Sequence, residues 1–272
     1  MITFAVFSDT HSNSFVGLAP DGGFHHEGGH HQPTPRQRYK SRQFKQMAVA
    51  VEQLAEAWKS PPVVVLNGDA CDLHPKTTAL ITTDQPTMLR LTRQAIEPMV
   101  SIADEFYMTI GTKSHTGHFE HTIAEAVGAV PDNPDAGMFA HVNLKLEHEG
   151  YRIWAQHHGR MGGLYHTERN AANVLAASMK AETHGERPPN LVIASHQHRW
   201  SDSWDNYIED DIRAIFLPGW QDPTGYINAL KRNARAQIGG FMCVIADGQI
   251  VPGTERKFRV RTPAVGTIKV GG

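Results

Sequence analysis

Residues 2–8 form an apolar, β-prone run that stops at Ser8-Asp-Thr-His11, the pattern of a buried strand running into a polar loop. Residues 12–35 are rich in Gly, Pro and His and show no period, so a long loop is expected there. From Arg36 to Trp58 the spacing turns helical, with Phe44, Met47, Ala48, Val51, Leu54, Ala55 and Trp58 on one face and Pro61-Pro62 as the stop. Val63–Leu66 predicts a second buried strand, Thr87–Ala103 a helix, Glu105–Ile110 a third strand and Phe119–Val127 a short helix. Strand and helix alternating at this spacing imply βαβ units and a largely parallel sheet.

Further on the character changes. Phe139–Glu147 alternates, Glu149-Gly150 is a turn and Tyr151–Gln156 is a strand, which together predict a hairpin. Gly163–Thr183 is alanine-rich and helical in pattern. Strands are expected at Leu191–Ser195, Trp200–Tyr207 and Ile212–Leu217, and Gly239–Ala246 is expected to pair with Gln249–Val251 across Asp247-Gly248. No internal repeat or linker interrupts the chain. The economical reading is one α/β domain with two sheets over residues 1–258, followed by a loose C-terminal arm at 259–272.

Composition narrows the function. The 272 residues carry 26 Lys and Arg against 28 Asp and Glu, a formal charge of −2, which excludes a broadly basic nucleic-acid coat or a polybasic membrane anchor. No apolar run approaches the ~18 residues of a membrane span. Residues 1–8 have neither a basic n-region nor a cleavage site, and two distant cysteines, Cys71 and Cys243, make no disulfide framework or CxxC motif. A reducing cytoplasm is therefore the expected compartment. The unusual count is 17 histidines, a residue that binds metals and moves protons.

Those histidines gather at strand ends. Five strand-like runs close on metal-ligand residues: Asp9-Thr-His11, Gly68-Asp69 with Asp72, Gly111-Thr-Lys-Ser-His115, His157-His158-Gly159 and His196-Gln-His198. The carboxyl ends of strands in an open α/β sheet are where ligands bind, so loops far apart in sequence can meet there. Mixed Asp and His donors suit Mn, Fe or Zn rather than a thiolate-loving ion.

The order DxH, GDxxD, a third loop with Gly and His, HxG, then HxH resembles the calcineurin-like metallophosphoesterase superfamily over roughly residues 1–200. The Gly-Thr-x-x-His variant is similar to phage- or prophage-type members. The resemblance implies a two-sheet sandwich flanked by helices (αββα) and a phosphoester substrate hydrolysed by water activated between two divalent metal ions. It implies that Asp9, His11 and His198 hold the first metal, that Asp69 bridges both, and that His157 and His196 hold the second. His157 is preferred because the family's ligand usually sits two positions before the Gly; His158 is the alternative. Asp72 is expected to support the ligands rather than bind metal. The chain departs from the family at the third motif, which usually reads GNH[DE]: the Asn is missing, leaving Thr112 as an oxygen donor, and His115 either as the acid for the leaving group or as a ligand.

Plainer readings stand beside these. His74, His118, His121, His141, His148, His166 and His184 are expected to be ordinary surface or core residues. The His25–His31 tract is expected to be a surface loop near the site mouth. The run Arg36, Arg38, Lys40, Arg42 and Lys45 is expected to be an exposed helix face, with phosphate-backbone contact as the functional alternative. Trp200, Trp204, Tyr207, Trp220 and Tyr226 are expected to pack in the core and sheets. Within the enzyme reading, a phosphodiesterase or nuclease competes with a phosphomonoesterase acting on protein or nucleotide, with a slight lean to the first. A non-catalytic scaffold of the same fold, like the retromer subunit of the superfamily, typically loses ligand histidines; here they remain. A metal-dependent amidohydrolase would start with HxH and need a barrel-sized chain.

Overall fold

The computed structural model describes residues 1–74, 79–159, 172, 175–177, 179, 187–205, 212–222 and 237–261. In chain order the elements are β1 (Ile2–Phe7), β2 (Phe24–His26), β3 (Gly29–His31), α1 (Pro35–Trp58), β4 (Pro62–Asn67), α2 (Gln85–Val100), β5 (Glu105–Thr109) and α3 (Phe119–Ala126). There follow β6 (Leu144–His148), β7 (Tyr151–Ala155), β8 (Leu191–Ala194), β9 (Ser201–Asp202), β10 (Arg213–Phe216), β11 (Gln237–Ala246), β12 (Gln249–Ile250) and β13 (Arg256–Arg261).

Two sheets result. The first runs β12-β11-β1-β4-β5, with β13 also on β11; the second runs β6-β7-β8-β10-β9. β1, β4 and β5 are mutually parallel, and β7, β8 and β10 are parallel in the other sheet. The apolar runs of β1 and β4 are continuous because both faces are covered. Phe4, Val6, Val63 and Val65 meet Ile153, Leu191, Ile193 and Ile215 of the second sheet, while Ala5, Phe7, Val64 and Leu66 meet Phe44, Met47, Val51 and Ile96 of the helices. On the far side of the second sheet, helical residues Ala172, Leu175, Ala176 and Met179 pack on Val192, Ala194, Ala214 and Phe216. The architecture is a two-sheet sandwich flanked by helices.

Local chemistry sets the helix ends. Thr34 and Gln37 close a reciprocal capping box on α1, Pro35 takes the first helical position, and Lys59 ends the helix in the left-handed conformation. Asp84 caps α2 through the Thr87 amide, so that helix begins at Gln85 and stops at Val100. Trp58, expected on the buried face, is 39% exposed at the end of α1.

Four expectations need correction. Residues 12–35 contain the β2–β3 hairpin, whose three-residue strands are too short to show a period. Phe139–Glu147 is not one strand. His141 exchanges backbone hydrogen bonds with Met108 and Ile110 beside β5, and only Leu144 onward joins β7. The segment thus crosses from one sheet to the other. In the expected strand 200–207 only Ser201–Asp202 is strand, followed by a 3-10 turn at Ser203–Asp205, and residues 206 and 207 lie outside the described set. β13 runs to Arg261 along β11, with Phe258 and Val260 against the helix-side core, so residues 259–261 are sheet rather than arm; residues 262–272 lie outside the described set. Most of Gly163–Thr183 does too. Cys71 and Cys243 are both free and buried, and no helix of the described residues is long and apolar enough to cross a membrane.

Candidate metal centre

The parallel strands deliver five loops to one edge of the sandwich, and a single residue ties them together. Asn67, fully buried at the end of β4, accepts on its carbonyl from Ser8 Oγ at 2.8 Å, His157 Nδ1 at 2.7 Å and Ser195 Oγ at 3.2 Å. Its side chain donates to the Gln156 carbonyl at 3.1 Å and to Ser195 Oγ, and accepts from Thr109 Oγ1 at 2.8 Å. The ends of β1, β4, β5, β7 and β8 are therefore pinned through one residue. Beyond the strands, the amides of Asp9 and His11 donate to the carbonyls of Gly68 and Asp69, each at 3.0 Å.

Backbone strain marks the same loops. Asp9 (φ 54°), His11 (43°), Asp69 (52°), His196 (70°) and His198 (52°) all sit in the left-handed region. Such a conformation costs a non-glycine residue about 1–3 kcal/mol and persists only where the surroundings enforce it. The other non-glycine cases among the described residues are Lys59, Glu149 and Asp247, at a helix cap and two turns.

The side chains converge. Asp9, His11 and His198 form one group of donor atoms, and Asp9, Asp69, His157 and His196 another, each group within 4.8 Å. Asp9 is the residue common to both. Asp69, expected as the bridge, belongs to the second group, and its Oδ2 lies 3.9 Å from His11 Nε2 of the first. Asp9 Oδ1 is buried and makes no hydrogen bond among the described residues. Around it lie His198 Nε2 at 3.1 Å, His11 Nε2 at 3.8 Å and His157 Nε2 at 3.8 Å. A buried carboxylate oxygen left unpaired costs at least about 1–3 kcal/mol. An orphan oxygen among three imidazole nitrogens fits a cation.

The tautomers agree with that fit. His11 Nδ1 donates to Asp72 Oδ1 at 2.8 Å and His157 Nδ1 donates to Asn67, which leaves both Nε2 atoms facing the acidic pair. Asp72 also accepts from His115 Nδ1 at 2.7 Å and from Gln221 Nε2 at 3.3 Å. It is an orienting carboxylate for two histidines. Thr112 donates to Asp69 through its amide at 2.6 Å and its hydroxyl at 3.0 Å, and His158 is exposed beside it.

Charge is balanced by protons when no cation is bound. Burial opposes the ionised form of Asp9, but His198 and His157 hold its carboxyl well below the usual range. Asp69 is likewise lowered against its burial, chiefly by His157, and Asp72 by His11. Burial opposes the charged form of His11, yet Asp72 raises it; burial also opposes that of His157, yet Asp69 and Asp9 push it up to about 9. Burial, then His157 and His196, lower His158. Fully buried Glu120 is pushed up to about 8 by burial and then by the charge of Asp69.

These directions predict a pH dependence for metal-free protein. His157 titrates at 6.5 when unfolded and about 9 when folded, so its contribution is complete below 6.5 and lost as pH rises through 9. Glu120 acts in the same direction between 4.5 and about 8, because the folded state holds the extra proton there. The melting temperature of metal-stripped protein is expected to fall from pH 6.5 to 9, and added divalent ions to reduce the fall. A flat or rising profile in thermal unfolding would contradict this balance.

Several supporting residues carry no ligand-type signal. The Glu120 carboxyl oxygens accept from the amides of Gly111 and Ala70, locking the third loop to the second. Gly111 is required by close approach: a Cβ there would lie 2.3 Å from the Asp69 amide nitrogen. Gly111→Ala is accordingly expected to cost several kcal/mol or to abolish metal binding, measured by thermal unfolding and ion content. Gly219, after β10, lies against His198 and Asp9, and the Trp220 amide donates to the Asp9 carbonyl at 2.9 Å. Buried Lys40 anchors this segment through Asp222 Oδ2 at 2.9 Å.

His121 accepts from the amides of Phe139 and Ala140, His141 bonds the Val130 carbonyl and His148 lies by Glu149. His166 and His184 lie outside the described residues. His25 and His30 pair across the β2–β3 hairpin, and none of that tract joins a metal group among the described residues. Of the basic run, Lys40 is buried, Lys45 pairs with Asp21, Arg36 lies 3.7 Å from Asp222 and Arg38 donates to the Pro33 carbonyl. Trp200 and Trp220 are buried, Trp204 is 39% exposed, and Tyr207 and Tyr226 lie outside the described set.

No family model matches the sequence, and no curated protein does. Similar solved structures include Vps29 from Chaetomium thermophilum, 11% identical, covering 97% of this chain and 98% of that one, with a TM-score of 0.45. Others are the phosphoesterase Yfce from E. coli (12%, 96% and 100%, TM-score 0.39) and a 5'-nucleotidase precursor from Thermus thermophilus (10%, 96% and 54%, TM-score 0.39). At such identities the functional case rests on this chain's own residues.

Proposed function

We propose that this chain is a metal-dependent phosphoesterase of the calcineurin-like type. The observation that carries the reading is the orphaned Asp9 Oδ1, ringed by His11, His157 and His198, with Asp69 alongside. Asp9, His11 and His198 would hold one divalent ion, and Asp69, His157 and His196 a second beside the first, with Asp9 and Asp69 lying between. Mn, Fe or Zn suits this donor set. Bound ions would supply an activated water and neutralise charge gathering on the phosphoryl oxygens.

The chain's own residues do the rest. Asp72 fixes the His115 ring through Nδ1, so Nε2 is free to carry a proton to the departing oxygen. The His115 side chain is 23% exposed, at the solvent edge of the centre where a substrate can reach it. Both phosphodiesters and phosphomonoesters belong to the proposed substrate class, and a cytoplasmic site of action is part of the proposal. Local pairing of four of the five basic residues removes most of the support for a nucleic-acid track along α1.

The test is hydrolysis of an aryl phosphodiester and its monoester by metal-stripped protein, with Mn²⁺, Zn²⁺, Mg²⁺ or nothing added back. Turnover that depends on added ion supports the proposal, and the diester-to-monoester ratio selects the substrate class. Bound ions without turnover of either ester would favour a non-catalytic scaffold.

A further inference from the structure

Apart from the Asp9-centred groups, His157, His158 and His196 form a third group of donors whose nitrogens lie within 4.8 Å of one another. The three rings meet edge to face: His158 and His196 have centroids 4.5 Å apart at 68°, and His157 and His158 4.9 Å apart at 81°. Three nitrogens bound to one ion at about 2.1 Å each lie about 3.4–3.6 Å from one another, so a shift of under about 1 Å in each ring lets all three bind together.

An oxygen stands at the same place. Thr112 Oγ1 is 3.0 Å from Asp69 Oδ2, 3.1 Å from His196 Nδ1 and 3.4 Å from His158 Nε2. A hydroxyl has one proton, and toward Asp69 it must donate it, so its lone pairs face the two imidazoles. Thr112 and His158 come from different loops, after β5 and β7, and meet at the open side of the second cation group. That is the side where the third loop, Gly111-Thr-Lys-Ser-His115, lacks an asparagine.

We infer that His158 is a ligand of the second cation, with the Thr112 hydroxyl as its oxygen neighbour, so that three imidazoles and not two hold that ion. The inference rests on the proposed metal centre. It makes the second site nitrogen-rich and therefore selective for ions that accept imidazole, such as Zn²⁺ or Co²⁺, over Mg²⁺.

The probe is Co²⁺, titrated into metal-stripped protein and followed by visible absorption and by ion count. Wild type is expected to take up two Co²⁺. His158→Ala is expected to keep the first ion at unchanged affinity and to bind the second more than about 100-fold more weakly, beyond the 10–100-fold typical of an outer-shell partner. Its spectrum for the second equivalent should shift. The retained first ion shows that the variant is folded. Thr112→Val should weaken the second ion by a smaller factor, and Thr112→Ser should restore it. A second Co²⁺ bound by His158→Ala with wild-type affinity and spectrum overturns the inference while leaving the metal centre standing. Loss of both ions in that variant overturns it in favour of a structural role. A wild-type chain that binds no Co²⁺ overturns the metal centre itself.

Discussion

Asp69→Asn is expected to lower turnover of an aryl phosphoester by about a thousandfold or more, equivalent to roughly 4 kcal/mol of transition-state stabilisation. Asp69 Oδ2 lies 2.9 Å from His157 Nε2, 3.8 Å from His196 Nδ1 and 3.9 Å from His11 Nε2, so one carboxylate oxygen faces donors of both cation groups. Asparagine keeps the shape and can still accept from the Thr112 amide at Oδ1. It removes the negative charge that two adjacent cations require. The fold should survive, because asparagine is close to isosteric with the buried aspartate. The check is kcat/KM at saturating metal together with ion content. Near-normal turnover would remove Asp69 from the centre.

His115→Ala is expected to lower the rate by about 10²–10⁴-fold while both ions stay bound. His115 reaches the site through Asp72, at 2.7 Å, and its ring packs edge-on against His11 with centroids 4.8 Å apart. It joins neither Asp9-centred group. Among the described residues, the one donor group that contains it is His11, Asp72 and His115. There Asp72 Oδ1 accepts from both rings, an arrangement that hydrogen bonds alone satisfy. A proton donor matters most when the departing oxygen is basic, so the loss should be larger for an alkyl ester than for a nitrophenyl ester. Loss of an ion in His115→Ala, with equal rate losses for both esters, would make His115 a ligand instead.

Much of this centre is legible in the sequence because its key residues are ligand types placed where strands stop. Asp9, His11, Asp69, His157, His196 and His198 all end apolar runs, and the parallel topology brings those ends together. The supports are another matter. Asn67 looks like an ordinary strand terminus, yet it joins five strand ends through hydrogen bonds reaching up to 128 residues along the chain. Glu120 falls on a short helix that reads as amphipathic, and only the fold shows its carboxyl group under two loop amides. Gly219 matters for the atom it lacks. A hydrophobic period cannot reveal such roles, because each depends on a long-range contact. The same limit explains the crossing at Phe139–His141: alternation marks an extended segment but not the sheet it joins. Motif order points to Asp69 as the common residue; the structure puts Asp9 in both donor groups and Asp69 Oδ2 3.9 Å from His11 Nε2 of the first.

In the proposed centre, five strand ends hold a pair of divalent ions around Asp9 and Asp69. The most direct measurement is the number of ions bound per chain, by native mass spectrometry, when metal-stripped wild type and Asp9→Asn are titrated with Zn²⁺ or Mn²⁺. Two ions on wild type and at most one, weakly held, on Asp9→Asn are the expected result. A wild-type chain that stays free of ions, or an Asp9→Asn chain that binds two as tightly as wild type, would contradict it.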